Sequence, residues 1–272
     1  MKTFFSSADL ALARRMEAAE AATGLAVAEA LQAVQPQFQA VAEPFLGGYA
    51  VFGGVGSPMT HAMGIGMVET ADVAEFDRME EFFRGRGSAS LIDLCPMANA
   101  SIVRLVQERS YRIIEFNNVL VRALGPGESF SKPRDDIRIR RVDSAEAITW
   151  TRVVAQGFFE TDTVPDEHIT MMSATQGMAD CFLATVDGLP AGGAAVGMRG
   201  KVASFFGDST LAAERGQGIQ RRLIEQRLAH AAGAGCDLAM VSVLPGSASH
   251  RNYQRCGFQL VYMRVNVSRE WD

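Results

Sequence analysis

The sequence predicts an α/β protein built from two related halves. Three observations carry that prediction. Short segments rich in Val, Ile and Phe alternate with helix-periodic segments along the chain. Three strand-like segments within 180–211 are divided by Asp187-Gly188 and Arg199-Gly200, as in a meander. A helix–strand–helix–strand order occurs twice.

The elements follow in order. Residues 8–35, rich in Ala, Leu, Glu and Gln, read as one or two helices, with Pro36 and Pro44 punctuating the exit. Segments 47–58 and 59–67 read as glycine-loosened strands. Residues 69–87 form a helix with Val73, Phe76, Met79, Phe82 and Phe83 on one face, stopped by Gly85 and Gly87. A strand at 88–96, a helix at 98–111 and a strand at 112–124 complete the first half. The polar, turn-rich stretch 125–136 is the linker candidate. Then come a strand at Ile137–Val142, a helix at 144–159, the meander, a helix at 217–232, a strand at 236–244, a helix at 247–256 and a last strand from about 258.

The two halves align. The strands at 90–96 and 237–245 both end in proline. In the helices that follow, Leu105 falls on Asn252, Val106 on Tyr253, Ser110 on Gly257 and Tyr111 on Phe258. The first half has Met67-Val68-Glu69-Thr70 where the second has Gly216-Gln217-Gly218-Ile219.

Composition narrows the function. A hydrophobic content of 48% over 272 residues is ordinary globular composition. A net charge of −5, with a pI of about 5.5, counts against a nucleic-acid partner. No apolar run approaches the ~20 residues of a membrane span. The N-terminal apolar stretch is broken by Ser6, Ser7 and Asp9, a poor secretion signal. Cys95, Cys181, Cys236 and Cys256 lack CxxC spacing, so they read as reduced thiols of a cytoplasmic protein with no metal.

One stretch carries chemistry. In 214–222, Gly216 and Gly218 stand among Arg215, Arg221 and Arg222 at a strand-to-helix turn. A helix N-terminus presents unpaired N–H groups and partial positive charge, and glycine lets the backbone approach an anion closely. Phosphate or pyrophosphate suits it; a plain glycine turn with solvated arginines reads the same. The GxxxxGK[ST] spacing of a P-loop is absent, and Arg221 stands where a dinucleotide fingerprint needs its third glycine.

Residues 137–272 resemble the GNAT acetyltransferases, the GCN5-related N-acetyltransferase superfamily. The signature [Q/R]xxGx[G/A] is matched by Arg215-Gly216-Gln217-Gly218-Ile219-Gln220, with Gln220 in place of a small residue. A second block, a tyrosine shortly before Gly-Phe, is matched by Asn252, Tyr253, Gly257 and Phe258; Gly246 stands where an asparagine is common. The resemblance implies two GNAT-like domains, each a mostly antiparallel mixed sheet flanked by helices (α+β in some schemes). Residues 1–130 would be a degenerate, non-catalytic copy, and 131–272 the acyl-CoA-binding domain.

It further implies transfer from acetyl-CoA, as co-substrate and without a metal, to a primary amine by direct attack. Ser209, Thr210 and Leu211 would lie along the pantetheine, with an oxyanion donor near Thr210 or Leu211. The strands 202–211 and 236–244 would splay to admit it. Arg215, Gly216, Gln217, Gly218, Ile219, Gln220 and Arg221 would surround the pyrophosphate, and Asn252 would bind cofactor or cap backbone. Tyr253 is the expected general acid, since a phenol of pKa ~10 can protonate a thiolate of pKa ~8.5. Asp208 is preferred as general base over Glu160 and Asp162. The expected partner is a small-molecule amine, with neither nucleic acid nor membrane; a monomer and a homodimer are both open. Acidic residues within 157–179 suit a cationic acceptor. The alternative is a non-catalytic acyl-CoA-binding sensor or scaffold.

Overall fold

The structure, a computed structural model, describes residues 9–68, 70–125 and 136–271. The expected linker at 125–136, with the boundary at 130, lies almost wholly outside the described residues. The chain forms two compact units. Among the described residues, one is Leu120–Gln259 and the other is 9–119 together with 260–271.

In the N-terminal unit, α1 (Leu10–Val34) is a single helix, capped by the Asp9 carboxylate on the Leu12 N–H at 2.7 Å. Strands β1 (Val41–Phe45), β2 (Gly48–Phe52) and β3 (His61–Met63) follow. Helix α2 (Val73–Arg84) buries Phe76, Met79, Phe82 and Phe83 as expected. Val73, expected on that face, is exposed, because it is the first helical residue. Then come β4 (Ser90–Leu94), α3 (Ala100–Glu108) and the start of β5 (Arg112–Ala123). Neighbouring pairs β1–β2 and β2–β3 are antiparallel, and β3–β4 is parallel.

The C-terminal unit holds β6 (Ile137–Arg141), α4 (Ala147–Phe159), α5 (Asp166–Ser173), β7 (Asp180–Val186), β8 (Leu189–Arg199) and β9 (Val202–Thr210). Helix α6 (Ile219–Gly233), β10 (Leu238–Val243) and α7 (Ala248–Arg255) complete it. The order is β6-β7-β8-β9-β10, antiparallel up to β9 and parallel between β9 and β10. Ile219, Leu223, Leu228, Tyr253 and Phe258 pack its core.

The last strand, β11 (Gln259–Arg269), follows α7 but is counted, from Leu260, with the N-terminal unit. It pairs antiparallel with β4, Val265 opposite Leu94 and Arg269 opposite Ser90. The units are therefore not two consecutive stretches of chain.

The internal repeat is present in the hydrogen bonds. At the end of α3 the Tyr111 N–H donates to Val106 O at 3.1 Å, and at the end of α7 the Phe258 N–H donates to Tyr253 O at 3.1 Å. Arg109 N–H reaches Leu105 O as Cys256 N–H reaches Asn252 O. These are the pairs the sequence alignment superimposes.

Candidate functional site

The site begins where two strands part. β9 and β10 are in register only from Val202–Leu238 to Phe205–Val241. Beyond Phe205, β9 runs on to Thr210 against β8 alone, as the expected splay requires. The cause is a bulge. Ala195 faces Phe206 and Gly193 faces Ser209, so β9 carries one extra residue there. Gly207 sits in it at φ +65°, a conformation glycine adopts without cost.

A buried network occupies the bulge. Arg227, on the inner face of α6, is 0% exposed. Its Nη1 donates to Ala195 O at 2.9 Å and lies 3.4 Å from Phe206 O, the carbonyls of the residue pair that borders the register shift. Its Nη2 donates to Asp208 Oδ1 at 2.5 Å, and Nη1 lies 3.2 Å from Oδ2. The Tyr253 hydroxyl donates to Asp208 Oδ2 at 2.6 Å and accepts from Arg227 Nη2 at 3.2 Å. Burial pushes the Tyr253 phenol well above its usual value; the Arg227 charge opposes this and the Asp208 charge reinforces it. Burial disfavours the charged guanidinium, but Asp208 and Tyr253 together outweigh it and raise Arg227 above its usual value. Sequence reasoning expected Tyr253 and Asp208 as separate acid and base; here they are hydrogen-bonded to each other. It missed Arg227, although Ile219, Leu223, Arg227 and Ala231 form one buried i, i+4 row.

The glycine turn lies at the start of α6. Gly216 and Gly218 have φ +82° and +86°, and a Cβ built on either meets nothing within 4 Å. Gly218 is the N-cap and supplies no capping side chain, so helix geometry leaves the N–H groups of Ile219, Gln220 and Arg221 without intrahelical partners. The Ile219 side chain is buried in the core. Gln220 turns from the loop: its amide donates to Ser249 Oγ at 2.9 Å and accepts from Asn252 at 2.8 Å. Asn252 Oδ1 also accepts from Arg255. Both side chains thus tie α6 to α7. Gln217 donates to Glu214, and Arg221 pairs with Glu225 at 3.1 Å.

Arg215 binds across the end of β9. Its Nε lies 3.3 Å from Thr210 O, and its Nη1 is 2.9 Å from Glu160. Glu160, exposed and paired there, is not at the bulge. Leu211 needs a correction: its N–H donates to Ala191 O at 3.0 Å and is not available as an oxyanion donor. Strand alternation turns the Thr210 N–H to the opposite edge, the side on which β10 diverges. Ser209 is buried, with its hydroxyl 3.4 Å from Val153 O. Burial raises the thiols of Cys181 to about 12 and Cys256 to about 11, so neither is a thiolate nucleophile at neutral pH. Among the described residues no group of His, Cys, Asp and Glu is placed to hold a metal, and no helix is long and apolar enough to cross a membrane.

The start of α2 in the N-terminal unit is built differently from the start of α6. Asp72 caps α2 by accepting from the Ala74 N–H, and Glu75 lies in its first turn. Both put negative charge at the start of this helix, and Glu75 Oε1 accepts from the Leu46 N–H at 2.8 Å. Gly64 and Gly66 have left-handed φ, but a Cβ on Gly66 would lie 2.3 Å from Ile102 Cγ1. The segment 59–67, expected as a strand, is one only at His61–Met63; the rest is a turn packed against α1 and α3.

Residues 146–258 match the sequence model of the acetyltransferase (GNAT) family. Over those residues, which lie in the C-terminal unit, the chain is similar to the GNAT family. Among solved structures it is similar to a GCN5-related N-acetyltransferase from Kribbella flavida, at 18% identity over 89% of this chain and 96% of that one, TM-score 0.66. A GCN5-related N-acetyltransferase from Sphaerobacter thermophilus matches at 15% identity over 72% and 67%, TM-score 0.57. A tandem GNAT protein from the clavulanic acid biosynthesis pathway matches at 13% identity over 72% and 69%, TM-score 0.54. At these identities the likeness is one of fold. No curated protein matches the sequence. What the chain shares with these structures is the fold, and each of its two units is a mixed sheet flanked by helices.

Proposed function

We propose that the C-terminal unit transfers an acetyl group from acetyl-CoA to a small-molecule primary amine. The observation that carries this reading is the path from the parting of β9 and β10 to the open turn at Gly216 and Gly218. In it, the pyrophosphate rests on the N–H groups at the start of α6, beside Arg215 and Arg221. The pantetheine runs along the backbone of Ser209–Leu211, and the Thr210 N–H receives the developing oxyanion. Tyr253 protonates the leaving thiolate. The N-terminal unit is non-catalytic, because Asp72, Glu75 and Ile102 fill and charge its counterpart of the loop.

The test is calorimetric titration of acetyl-CoA, CoA and ADP into wild type and Gly218→Glu. The reading expects CoA species to bind wild type and not the variant. Absence of binding to wild type overturns it. A second reading, a non-catalytic acyl-CoA sensor, is favoured by the full burial of Tyr253. Binding without release of free thiol across a panel of amines would establish it in place of the first.

A further inference from the structure

Given acyl transfer as proposed above, we propose that Asp208 and Tyr253 act as one proton relay, with Arg227 as the positioning residue that holds it. The three meet where β9 leaves β10, and Asp208 stands three residues past the last paired residue, Phe205. The hydroxyl has one proton, and it points at Asp208 Oδ2, 2.6 Å away. Arg227 Nη2 touches both the other carboxylate oxygen and the phenol oxygen. The guanidinium is itself fixed by Leu223 O at 3.1 Å, by Ala195 O, and by the Phe205 ring face at 4.6 Å. A proton arriving at Asp208 and one leaving Tyr253 are therefore not separate events.

The charges give the order. While Asp208 is ionised, its charge and the burial hold the proton on Tyr253. Once Asp208 is protonated, the charge left beside the phenol oxygen is Arg227, which favours the phenolate. The steps then balance. The neutral amine attacks the thioester carbon, a C–N bond forms, and the carbonyl electron pair moves to oxygen. The nitrogen, now cationic, gives a proton to Asp208. The oxyanion collapses, the C–S bond breaks, and sulfur leaves with the pair. Tyr253 protonates the sulfur, and Asp208 returns its proton to the phenolate. The products are the amide and free CoA, and the network is restored.

The experiment is a double-mutant cycle on kcat in the full chain, with the acetyl-CoA Kd measured for each variant. Asp208→Asn and Tyr253→Phe are each expected to lower kcat about 100-fold, and the double variant by the same factor, because members of one relay are lost together. Arg227→Lys keeps the charge without the fork; it is expected to lower kcat about tenfold with Kd within about threefold. A double variant whose loss is the product of the single losses overturns the relay, as does wild-type kcat in either single variant. Wild-type kcat and pH profile in Arg227→Lys overturn the role of Arg227. A wild type that binds no acetyl-CoA overturns the acyl-transfer reading itself, a failure distinct from multiplied losses in an active enzyme.

Discussion

Ser110 and Gly257 hold the same left-handed backbone, at φ +59° and +84°, at the residue that turns the chain out of α3 and out of α7. The next residue, Tyr111 or Phe258, returns its N–H to the preceding helix. The geometry is thus shared by the two units, while the residue is not. Glycine meets it freely, and serine pays in its Cβ contacts.

Ser110→Gly is therefore expected to stabilise the N-terminal unit by about 0.5–1 kcal/mol, less what the freer unfolded chain takes back. Gly257→Ser is expected to destabilise by a similar amount. Urea midpoints for the two variants check this; equal shifts of one sign would contradict it.

Glycines at two turns differ in what surrounds them. Gly216→Ala meets only the strain of its φ, about 1 kcal/mol, since nothing lies within 4 Å. Gly66→Ala adds to that strain a clash with Ile102, an overpacking worth about 1–3 kcal/mol. Gly66→Ala should have the lower melting temperature of the two. Gly66→Ala combined with Ile102→Ala, which removes the clashing Cγ1, should lose less than the sum of the two single variants.

Much of this was legible in the sequence, for reasons that also set the limits. The glycine turn, α6, β10 and α7 are readable because periodicity and a residue-specific backbone agree there. β1 escaped because Pro44 reads as a breaker, yet β1 lies at the end of the strand order, where a missing N–H costs no ladder bond. α5 is eight residues with weak apolar periodicity behind Pro165, and was expected as part of an acceptor loop. The pairing of β11 with β4 has no sequence signal, because periodicity names strands but not their neighbours. Arg227 was legible in principle: an arginine in the row of Ile219, Leu223 and Ala231 has to be paired once buried.

His61 and Asp93 make the N-terminal unit sensitive to pH. Burial opposes the charged imidazole, but Asp93, 3.0 Å from Nδ1, outweighs it together with the Pro58 backbone and Glu115, and the His61 pKa is raised. Burial likewise opposes ionised Asp93, but His61 and Arg264 together outweigh it, so the Asp93 pKa is lowered. The His61 contribution is complete below about pH 6.5 and is lost as pH rises through its raised folded value. The Asp93 contribution is complete above about pH 4 and is lost as pH falls through its depressed value. The pair is strongest between those limits. Wild type is expected to lose stability between about pH 5.5 and about pH 8.5, and His61→Gln to lose less over the same interval. Urea titrations at both pH values decide it; an equal loss in the variant would remove His61 from the account.

Gln220 departs from the small residue usual in the family signature, and its bonds say why the departure is tolerated. Both ends of its amide are used on α7, by Ser249 and Asn252, on the side away from the open turn. Gln220→Ala restores a small residue and removes two partly buried hydrogen bonds, at a cost of about 1–2 kcal/mol in stability. Because the loop's N–H groups are left as they were, the affinity for CoA should change less than about threefold. Denaturation and calorimetry on the same variant separate the two effects. A large loss of CoA affinity with stability intact would mean that Gln220 faces the ligand, and that its bonds to α7 are secondary.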